Sequence, residues 1–391
     1  MGLKIKTSVL MSQTKSPLGN IEDRLLRVPK SLRDQLNISK GTFLKLKSKI
    51  GKDIILQVTH AYINDADVDP NSAYVSDDVY VELDLRQVTK LDPAEDILIG
   101  CDPEFFLVDA DTLRNVSASH FFPHYGQVGS DLGLAELRPR PAMTAELLTY
   151  NIQQLLLRAS DHLRERVLYR KRLIYMDAAS HRDGASAGFH IHFGLPKPLL
   201  AYSDEAYNIR VKIVNLLDYY IGIPSILPEG DEDFYRRSYK YSNYGKPGDF
   251  RSESVTLEYR VPGGHLLRHP LLTMGLISLC QLVMKDILTR IKAQTNGYQN
   301  LNILRKHSEL RDLYPNLPDP ANVYSAVTDE KCQPALTHAT KIFADLVNMI
   351  GFEGNRNHIT KYFQYVLNYY QQGNKFSSNI DQNWRSFRNE G

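Results

Sequence analysis

The sequence predicts an α+β protein in which an antiparallel sheet is backed by helices and is preceded by a small, mostly β domain. Before the boundary at Leu91-Asp92-Pro93, apolar residues form short alternating runs with one small helix. After it, strand-like runs are separated by long helical stretches, and helical periodicity dominates the tail. The chain, at 391 residues, is also too long for one compact core.

We therefore expect three segments along the chain. Residues 1–20 are polar and are predicted to be a mobile N-terminal segment. Residues 21–92 are predicted to form a small β-barrel-like accessory domain, and residues 93–391 the larger α+β domain with C-terminal helices. The elements expected in the accessory domain are strands at 24–28, 43–47, 54–58 and 79–83, a short helix after Pro29, and a loop over 65–78.

The string RVPKSLRDQLNISKGTFLKLK, residues 27–47, resembles the small swapped-hairpin barrels of the AbrB type. That resemblance covers about thirty residues and implies a barrel that often dimerises and sometimes binds DNA. Basic residues such as Lys45 and Lys47 are balanced here by acids such as Asp34 and Asp53. We therefore favour an accessory barrel with a charged surface, in a possible homo-oligomer, over a DNA-binding domain.

Composition narrows the class of protein. Hydrophobic residues make up 42%, charged residues 24%, and the net charge is +2, so bulk charge gives no case for binding nucleic acid or a membrane surface. The three cysteines, Cys101, Cys280 and Cys332, form no CxxC pair, which argues against a disulfide scaffold. No apolar run near the N-terminus predicts a signal peptide, and the apolar stretch 271–287 is interrupted by polar residues. We expect a cytoplasmic protein in which that stretch is a buried core helix.

The larger domain is predicted to alternate strands and helices. The expected strands are 97–100, 105–108, 188–195 and 254–261, and the expected helices are 147–169, 206–221, 266–292 and two within 335–372, split at 351–357.

The first two motifs pair charged groups on strands. In GCDPEFFLVD, Asp102 and Glu104 are two residues apart and so point to one face of a strand, where two carboxylates need cations such as Mg²⁺. In GSDLGLAELRPRP, Glu136 and Arg138 share a face in the same way, so an acid for a metal and a guanidinium for a carboxylate or phosphate lie side by side. A simple ion pair is the alternative for the second motif.

Two further motifs add histidines and basic groups. In AGFHIHFG, His190 and His192 point one way, an arrangement typical of metal or phosphate sites. Glu258 and Arg260 share a face in LEYRVP. Upstream, a predicted basic, glycine-bearing loop runs from Arg236 through Arg237, Lys240 and Lys246 to Arg251, and such a loop beside an acidic metal site suits phosphoryl transfer or a second anion.

The order of these motifs, over residues 98–265, resembles the phage-type COOH–NH2 ligases, the amidoligases of the glutamine-synthetase-like superfamily. The resemblance implies a glutamine-synthetase-like sheet whose concave face binds ATP and two or more Mg²⁺ ions, with Mn²⁺ as a substitute. It implies metal ligands at Glu104, Glu136, His190, Glu258 and, with a departure from the usual Glu, Asp102. It also implies that ATP phosphates are contacted by His192, Lys246, Arg251 and Arg260. Catalytic roles are implied for Arg251 and Arg260, which hold the γ-phosphate and the developing acyl phosphate, and for Arg138, which orients the carboxylate substrate.

The implied reaction is ATP-dependent: a small-molecule or peptide carboxylate becomes an acyl phosphate, and an amine then displaces phosphate. Two alternatives stay open from the sequence. A phosphotransferase on the related fold would also move a γ-phosphate, although Cys101 should face away from the motifs. A non-catalytic protein that binds DNA or a partner through the N-terminal barrel is the third reading. No P-loop, GxGxxG turn or serine elbow is present to suggest another chemistry.

Overall fold

The strands and helices come from a computed structural model, which describes residues 4–7, 25–39, 43–47, 53–60, 72–75, 91–93, 97–170, 173–230, 232–238, 244–304, 313–372 and 379–386. The described strands are β1 (Lys4–Thr7), β2 (Leu25–Val28), β3 (Phe43–Lys47), β4 (Asp53–His60), β5 (Ser72–Val75), β6 (Leu91–Pro93), β7 (Ile99–Asp109), β8 (Asn115–Val116), β9 (Val128–Asp131), β10 (Leu134–Leu137), β11 (Ile174–Asp177), β12 (His181–Arg182), β13 (Ala185–Ser186), β14 (Phe189–Gly194), β15 (Phe250–Ser252) and β16 (Thr256–Tyr259).

The five helices predicted in the larger domain are present, but the last begins at Phe352, inside the predicted break at 351–357, and Pro320–Thr328, Ile380–Ser386 and several short helices were not predicted. The α-helices are Lys30–Leu36, Ala145–Arg170, Lys197–Leu200, Asp204–Leu217, Ile223–Ser225, Phe234–Arg237, Pro270–Gln294, Pro320–Thr328, Gln333–Val347, Phe352–Gln372 and Ile380–Ser386. A π-helical turn, Asp218–Gly222, continues Asp204–Leu217, and short 3₁₀ turns lie at Ala118–His120, Gly264–Leu267 and Leu301–Leu304.

The chain divides into two compact units, Met1–Asp96 and Ile97–Gly391. In the first unit the six strands form one sheet in the order β1-β5-β2-β4-β3-β6. The strand Leu91–Pro93 was not expected, since it lies at the predicted domain boundary. Two further strands differ from expectation: Lys4–Thr7 lies within the segment predicted to be mobile, and Ser72–Val75 lies within the predicted loop. The two strands pair in parallel with each other, which gives each a backbone hydrogen-bond partner. The strand predicted at 79–83 lies outside the described residues, and closure of this sheet into a barrel stays a prediction.

In the second unit the main sheet is antiparallel, in the order β15-β16-β14-β7-β10-β9, with β8 and β11 also pairing with β7. The α+β class, an antiparallel sheet backed by helices, is confirmed. The sequence predicted two strands around Asp102-Pro103-Glu104, and that was wrong: β7 is one continuous strand. Pro103 has no N–H to donate, and it is tolerated because Phe189 opposite it directs its own N–H away from β7, to the carbonyl of Pro262 (2.9 Å), so this pair exchanges no backbone hydrogen bonds.

One face of this sheet packs against the helices. Alternate strand residues, including Cys101, Ile191 and Leu257, are buried in the same hydrophobic cluster as residues of the helices Ala145–Arg170 and Pro270–Gln294. The helix Pro270–Gln294 also packs closely on Phe352–Gln372, since a Cβ at Gly275 would collide with the ring of Tyr362. The opposite face of the sheet therefore carries the polar residues of the motifs.

The helix Pro270–Gln294 is, among the described residues, the one helix whose length and composition would suit a membrane span. Within its most apolar stretch, 83% is buried inside the protein. The predicted core helix is thus present and buried at the stretch 271–287.

Candidate active site

The polar face of the sheet collects side chains from three neighbouring strands. The register pairs His190 of β14 with Asp102 of β7, and His192 of β14 with Glu258 of β16. Because alternate residues of a strand share a face, this register aligns residues from motifs about 65 to 155 positions apart.

Asp102, His190 and Glu258 form a tight cluster at the centre of this face. Their ligand atoms lie within 4.8 Å of one another. Nδ1 of His190 is 3.4 Å from Oδ1 of Asp102 and 3.6 Å from Oε1 of Glu258. Two carboxylates and one imidazole converging from three strands are a donor set that could hold a divalent cation.

Glu104 and Glu136 form a second acidic pair, outside that cluster. They lie opposite each other on β7 and β10, so two like charges face each other across the ladder. The Gly188 N–H donates to Oε2 of Glu104 (2.6 Å). Burial raises the pKa of Glu104, and burial together with neighbouring carboxylates, partly offset by Arg138, raises the pKa of Glu136 to about 7. A cation between the pair would relieve both effects.

Two guanidinium groups flank Glu258. Nε of Arg260 lies 3.2 Å from Oε1 of Glu258, and Nη1 of Arg251 lies 3.4 Å from Oε2. Arg260 is mostly buried and also pairs with Asp249 (3.6 Å), whereas the side chain of Arg251 on the edge strand is 57% exposed. Arg251 can therefore reach an anion arriving from solvent, while Arg260 is held in place beside the cluster.

His192 lies next to the cluster, at the less buried end of β14. Its Nε2 is 3.1 Å from Oδ1 of Asp102, and its Nδ1 is 3.5 Å from the hydroxyl of Thr256. Burial alone would lower the pKa of His192, but the hydrogen bond and charge of Asp102, with the charge of Glu258, raise it. Burial likewise acts to raise the pKa of Asp102, but His190 and His192 hold it at about 2. A carboxylate that stays ionised and an imidazole that favours its cationic form suit a site for cations and phosphates.

Arg138, which directly follows β10, contacts the carboxylate of Glu136 on that strand. The two side chains therefore lie side by side, as predicted. Its Nη1 also donates to the carbonyl oxygens of Gly126 (3.1 Å) and His124 (3.4 Å). The guanidinium is therefore fixed between the acidic pair and the loop that precedes β9.

Lys246 lies in a loop, residues 244–249, that closes over one side of the cluster. The phenol of Tyr244 contacts Nε2 of His190, and the N–H groups of Gly245 and Gly248 donate to Asp249 (2.9 Å) and Asp218 (2.7 Å). Gly245 has φ +76°, and a Cβ there would collide with the guanidinium of Arg236. Glycine is therefore required for the loop to approach the site this closely.

The basic loop expected from Arg236 to Arg251 is only partly correct. Arg236 and Arg237 lie in the short helix Phe234–Arg237 and are almost completely buried. Arg236 donates to the carbonyls of Val261 and Arg260 (both 2.7 Å), and Arg237 donates to Glu229 (2.8 Å). Both guanidiniums are used to hold the fold together, so the expectation that they bind a second anion was wrong. Lys240 lies outside the described residues.

Tyr244, Asp249 and Asp218 were missed by the sequence analysis. The ring of Tyr244 lies under the guanidiniums of Arg260 (4.5 Å) and Arg236 (4.8 Å), and burial raises its pKa. The carboxylate of Asp249 accepts a hydrogen bond from the Gly245 N–H and forms an ion pair with Arg260. The buried carboxylate of Asp218 accepts hydrogen bonds from the hydroxyl of Tyr259 (2.9 Å) and the N–H of Gly248. A single tyrosine in a tyrosine-rich segment carries no pattern that would have identified it, because its neighbours come from distant strands.

Comparisons with known proteins agree with this geometry at the level of family. A family model described as "Phage phiEco32-like COOH.NH2 ligase-type 2" matches residues 99–385. No curated protein matches the chain in sequence.

Among solved structures, the chain is similar to the complex between the prokaryotic ubiquitin-like protein Pup and its ligase PafA (11% identity, TM-score 0.37, 69% of each chain covered). It is also similar to apo GmaS (11% identity, TM-score 0.34, 82% of this chain and 96% of that chain). A third is a bifunctional glutathione synthetase from Pasteurella multocida (12% identity, TM-score 0.30, 70% of this chain and 52% of that chain). At these TM-scores the likenesses carry no argument about activity.

Proposed function

Because this chain belongs to the phage phiEco32-like COOH–NH2 ligase family, type 2, and is a carboxylate–amine ligase, we propose that it uses ATP and Mg²⁺ and forms an acyl phosphate. The observation that carries the proposal is the cluster of Asp102, His190 and Glu258, with Arg251 and Arg260 on either side of Glu258. Acidic metal ligands next to guanidiniums are what phosphoryl transfer from ATP requires.

The side chains present fit Mg²⁺, or Mn²⁺ in its place. Asp102, His190 and Glu258 would hold one ion, and the facing pair Glu104 and Glu136 would hold another, since their mutual repulsion and burial favour a cation between them. Bound there, the ions would supply positive charge that neutralises phosphate oxygens.

In the first step, an oxygen of the substrate carboxylate attacks the γ-phosphorus of ATP, the bond to the β-phosphate oxygen breaks, and ADP leaves. Arg260 and Arg251 would steady the negative charge of the transferred group, and His192 and Lys246 would contact ATP phosphates. Two anions that otherwise repel are held together in one place, which supplies much of the rate enhancement.

In the second step, the amine attacks the carbonyl carbon of the acyl phosphate, loses a proton, and displaces inorganic phosphate, which leaves an amide or isopeptide bond. Arg138 would orient the reacting carboxylate, since its guanidinium is already fixed next to Glu136. No side-chain nucleophile is needed. Cys101 in particular faces the hydrophobic core, and burial raises the pKa of its thiol, so this site does not favour the phosphotransferase alternative.

For the N-terminal residues 21–92 we propose an accessory role, with pairing of two copies of the chain rather than DNA binding. Cytoplasmic location, with the host cytoplasm as the place of action for a phage-encoded chain, is part of the same proposal.

The decisive experiment follows oxygen atoms. The protein is supplied with ATP, Mg²⁺, a pool of amines and a pool of carboxylates labelled with ¹⁸O, and products are analysed by mass spectrometry. An acyl-phosphate route transfers one ¹⁸O from the carboxylate to the released phosphate and gives an amide. A phosphotransferase would give a stable phosphorylated product and no amide. Amide formation with unlabelled phosphate would contradict the acyl phosphate.

A further inference from the structure

A groove of about 570 Å³ lies between the segment 119–128 and the helix Ala145–Arg170. This volume falls within the roughly 300–1,000 Å³ that is usual for sites of small ligands. The site residues discussed above do not line it, so the groove is a separate feature of the surface.

The lining of the groove is basic and partly aromatic. Arg158 contributes a guanidinium, His120 and His162 contribute imidazoles, and the edges of the largely buried Phe121 and Phe122 rings contribute apolar surface. The ring nitrogen Nε2 of His162 bonds the carbonyl of Phe121 (2.9 Å), and none of the lining residues is acidic. Arg158 is exposed, and no ion pair within the described part of the chain involves it. A guanidinium without a protein carboxylate beside it is suited to a carboxylate from a ligand.

Backbone groups that line the groove also contact Arg138, which contacts Glu136 of the acidic pair Glu104 and Glu136 of the site. The carbonyl of Gly126, which lines the groove, accepts from Nη1 of Arg138 (3.1 Å), and the carbonyl of Gln127 accepts from its backbone N–H (2.7 Å). Arg138 in turn contacts Glu136. The groove therefore lies one residue layer from the guanidinium assigned to the reacting carboxylate.

We propose that this groove binds a second carboxylate of the ligase's carboxylate substrate, and that the substrate class is a short acidic peptide. Its reacting carboxyl lies at Arg138, its second carboxylate pairs with Arg158, and its backbone lies along the groove. The orientation rests on the proposed function, because it uses the role given to Arg138. The basic charge of the groove and its binding of an acidic peptide do not depend on ATP chemistry.

The test measures binding directly by calorimetry, without ATP or metal. The probes are N-acetyl-Glu-Glu and, as the neutral match, N-acetyl-Gln-Gln amide. The proteins are the wild type, Arg158→Gln and the control Arg114→Gln, which removes an exposed arginine from the turn between β7 and β8. We expect the acidic peptide to bind the wild type and the control equally, and Arg158→Gln to bind it about tenfold more weakly. The imidazole NMR signals of His120 and His162 should shift on binding.

Three results would overturn the proposal: equal binding of the acidic peptide by Arg158→Gln, equal binding of the neutral peptide, or no saturable binding of the acidic peptide. Shifts confined to His190 and His192 would place the peptide elsewhere and would also refute it. Inorganic phosphate that competes with the peptide only in the wild type would indicate a general anion groove rather than a peptide site, which also counts against it. The ¹⁸O experiment does not use Arg158, so failure of the groove and failure of the ligase mechanism can be told apart.

Discussion

The phenol of Tyr244 contacts Nε2 of His190, with the two rings almost perpendicular (80°) and their centroids 5.4 Å apart. The other ring nitrogen, Nδ1, faces Asp102 and Glu258. One nitrogen of the imidazole is thus engaged by the loop 244–249, and the other is directed into the cluster. A hydrogen bond on the outer nitrogen fixes the orientation and tautomer of a ligating histidine.

The first prediction follows from this contact. Tyr244→Phe keeps the ring that stacks on Arg260 but removes the hydroxyl at His190. We expect Mn²⁺ affinity, measured by electron paramagnetic resonance, to fall about tenfold or more. Tyr202→Phe, which changes a fully exposed tyrosine, is the matched control. Unchanged Mn²⁺ affinity in Tyr244→Phe would show that the hydroxyl does not position the imidazole.

The second prediction concerns the charge of Glu258. Glu258→Gln removes a carboxylate shared by the cluster and two arginines, so ATP-dependent amide formation should fall by about two to three orders of magnitude. Glu253→Gln is the control, because the side chain of Glu253 is 44% exposed, lies outside the cluster, and approaches Arg251 only at a long 3.9 Å. Phosphate release is measured with carboxylate and amine present. If Glu258→Gln retained wild-type activity, the assignment of the cluster would be wrong.

The third prediction compares two glycines of the loop 244–249. Both have positive φ, but a Cβ at Gly245 would collide with Arg236, whereas a Cβ at Gly248 meets nothing within 4 Å. Gly248→Ala should therefore cost about 1–2 kcal/mol from backbone strain alone, and Gly245→Ala should cost more. Chemical unfolding gives the free energies, and ATP affinity should weaken mainly in Gly245→Ala. Equal effects on both measurements would contradict a tight contact at Gly245.

The fourth prediction is a pH dependence from Asp218. Burial raises its pKa from 3.8 to about 7, despite hydrogen bonds from Tyr259 and Gly248. Below about pH 4 the carboxyl is protonated in both the folded and the unfolded chain. Between pH 4 and 7 the unfolded chain releases this proton while the folded chain keeps it, so this group's contribution to stability is lost as pH rises.

Asp218→Asn has no titrating group at this position, so any other effect of the substitution on the free energy of unfolding is the same at every pH. The unfolding free energy of the wild type minus that of Asp218→Asn should therefore decrease as pH is raised from about 4 to 7, and should level off above that range. Denaturant unfolding at a series of pH values gives this difference directly. A difference that does not change with pH would mean that Asp218 is ionised in the folded chain across this pH range.

Several features of the site were predictable from the sequence because they depend on local geometry. Strand alternation placed His190 with His192, and Glu136 with Arg138, on common faces without knowledge of any partner strand. The larger helices were recognisable from their periodicity and length, including the buried Pro270–Gln294. The family resemblance of the motifs, rather than their geometry, implied a carboxylate–amine ligase, which the family model confirms.

Other features depend on residues that are distant in the sequence. Register placed His190 against Asp102 and His192 against Glu258, and tertiary packing buried Arg236 while bringing Tyr244 to His190. Sheet pairing also makes Ile99–Asp109 one continuous strand, although Pro103 between Asp102 and Glu104 suggested a break. The sequence alone determined which side chains share a face, since that follows from the backbone period. Only the tertiary structure decided which of them meet and which are buried, because pairing and burial are set by contacts between separate segments of the chain.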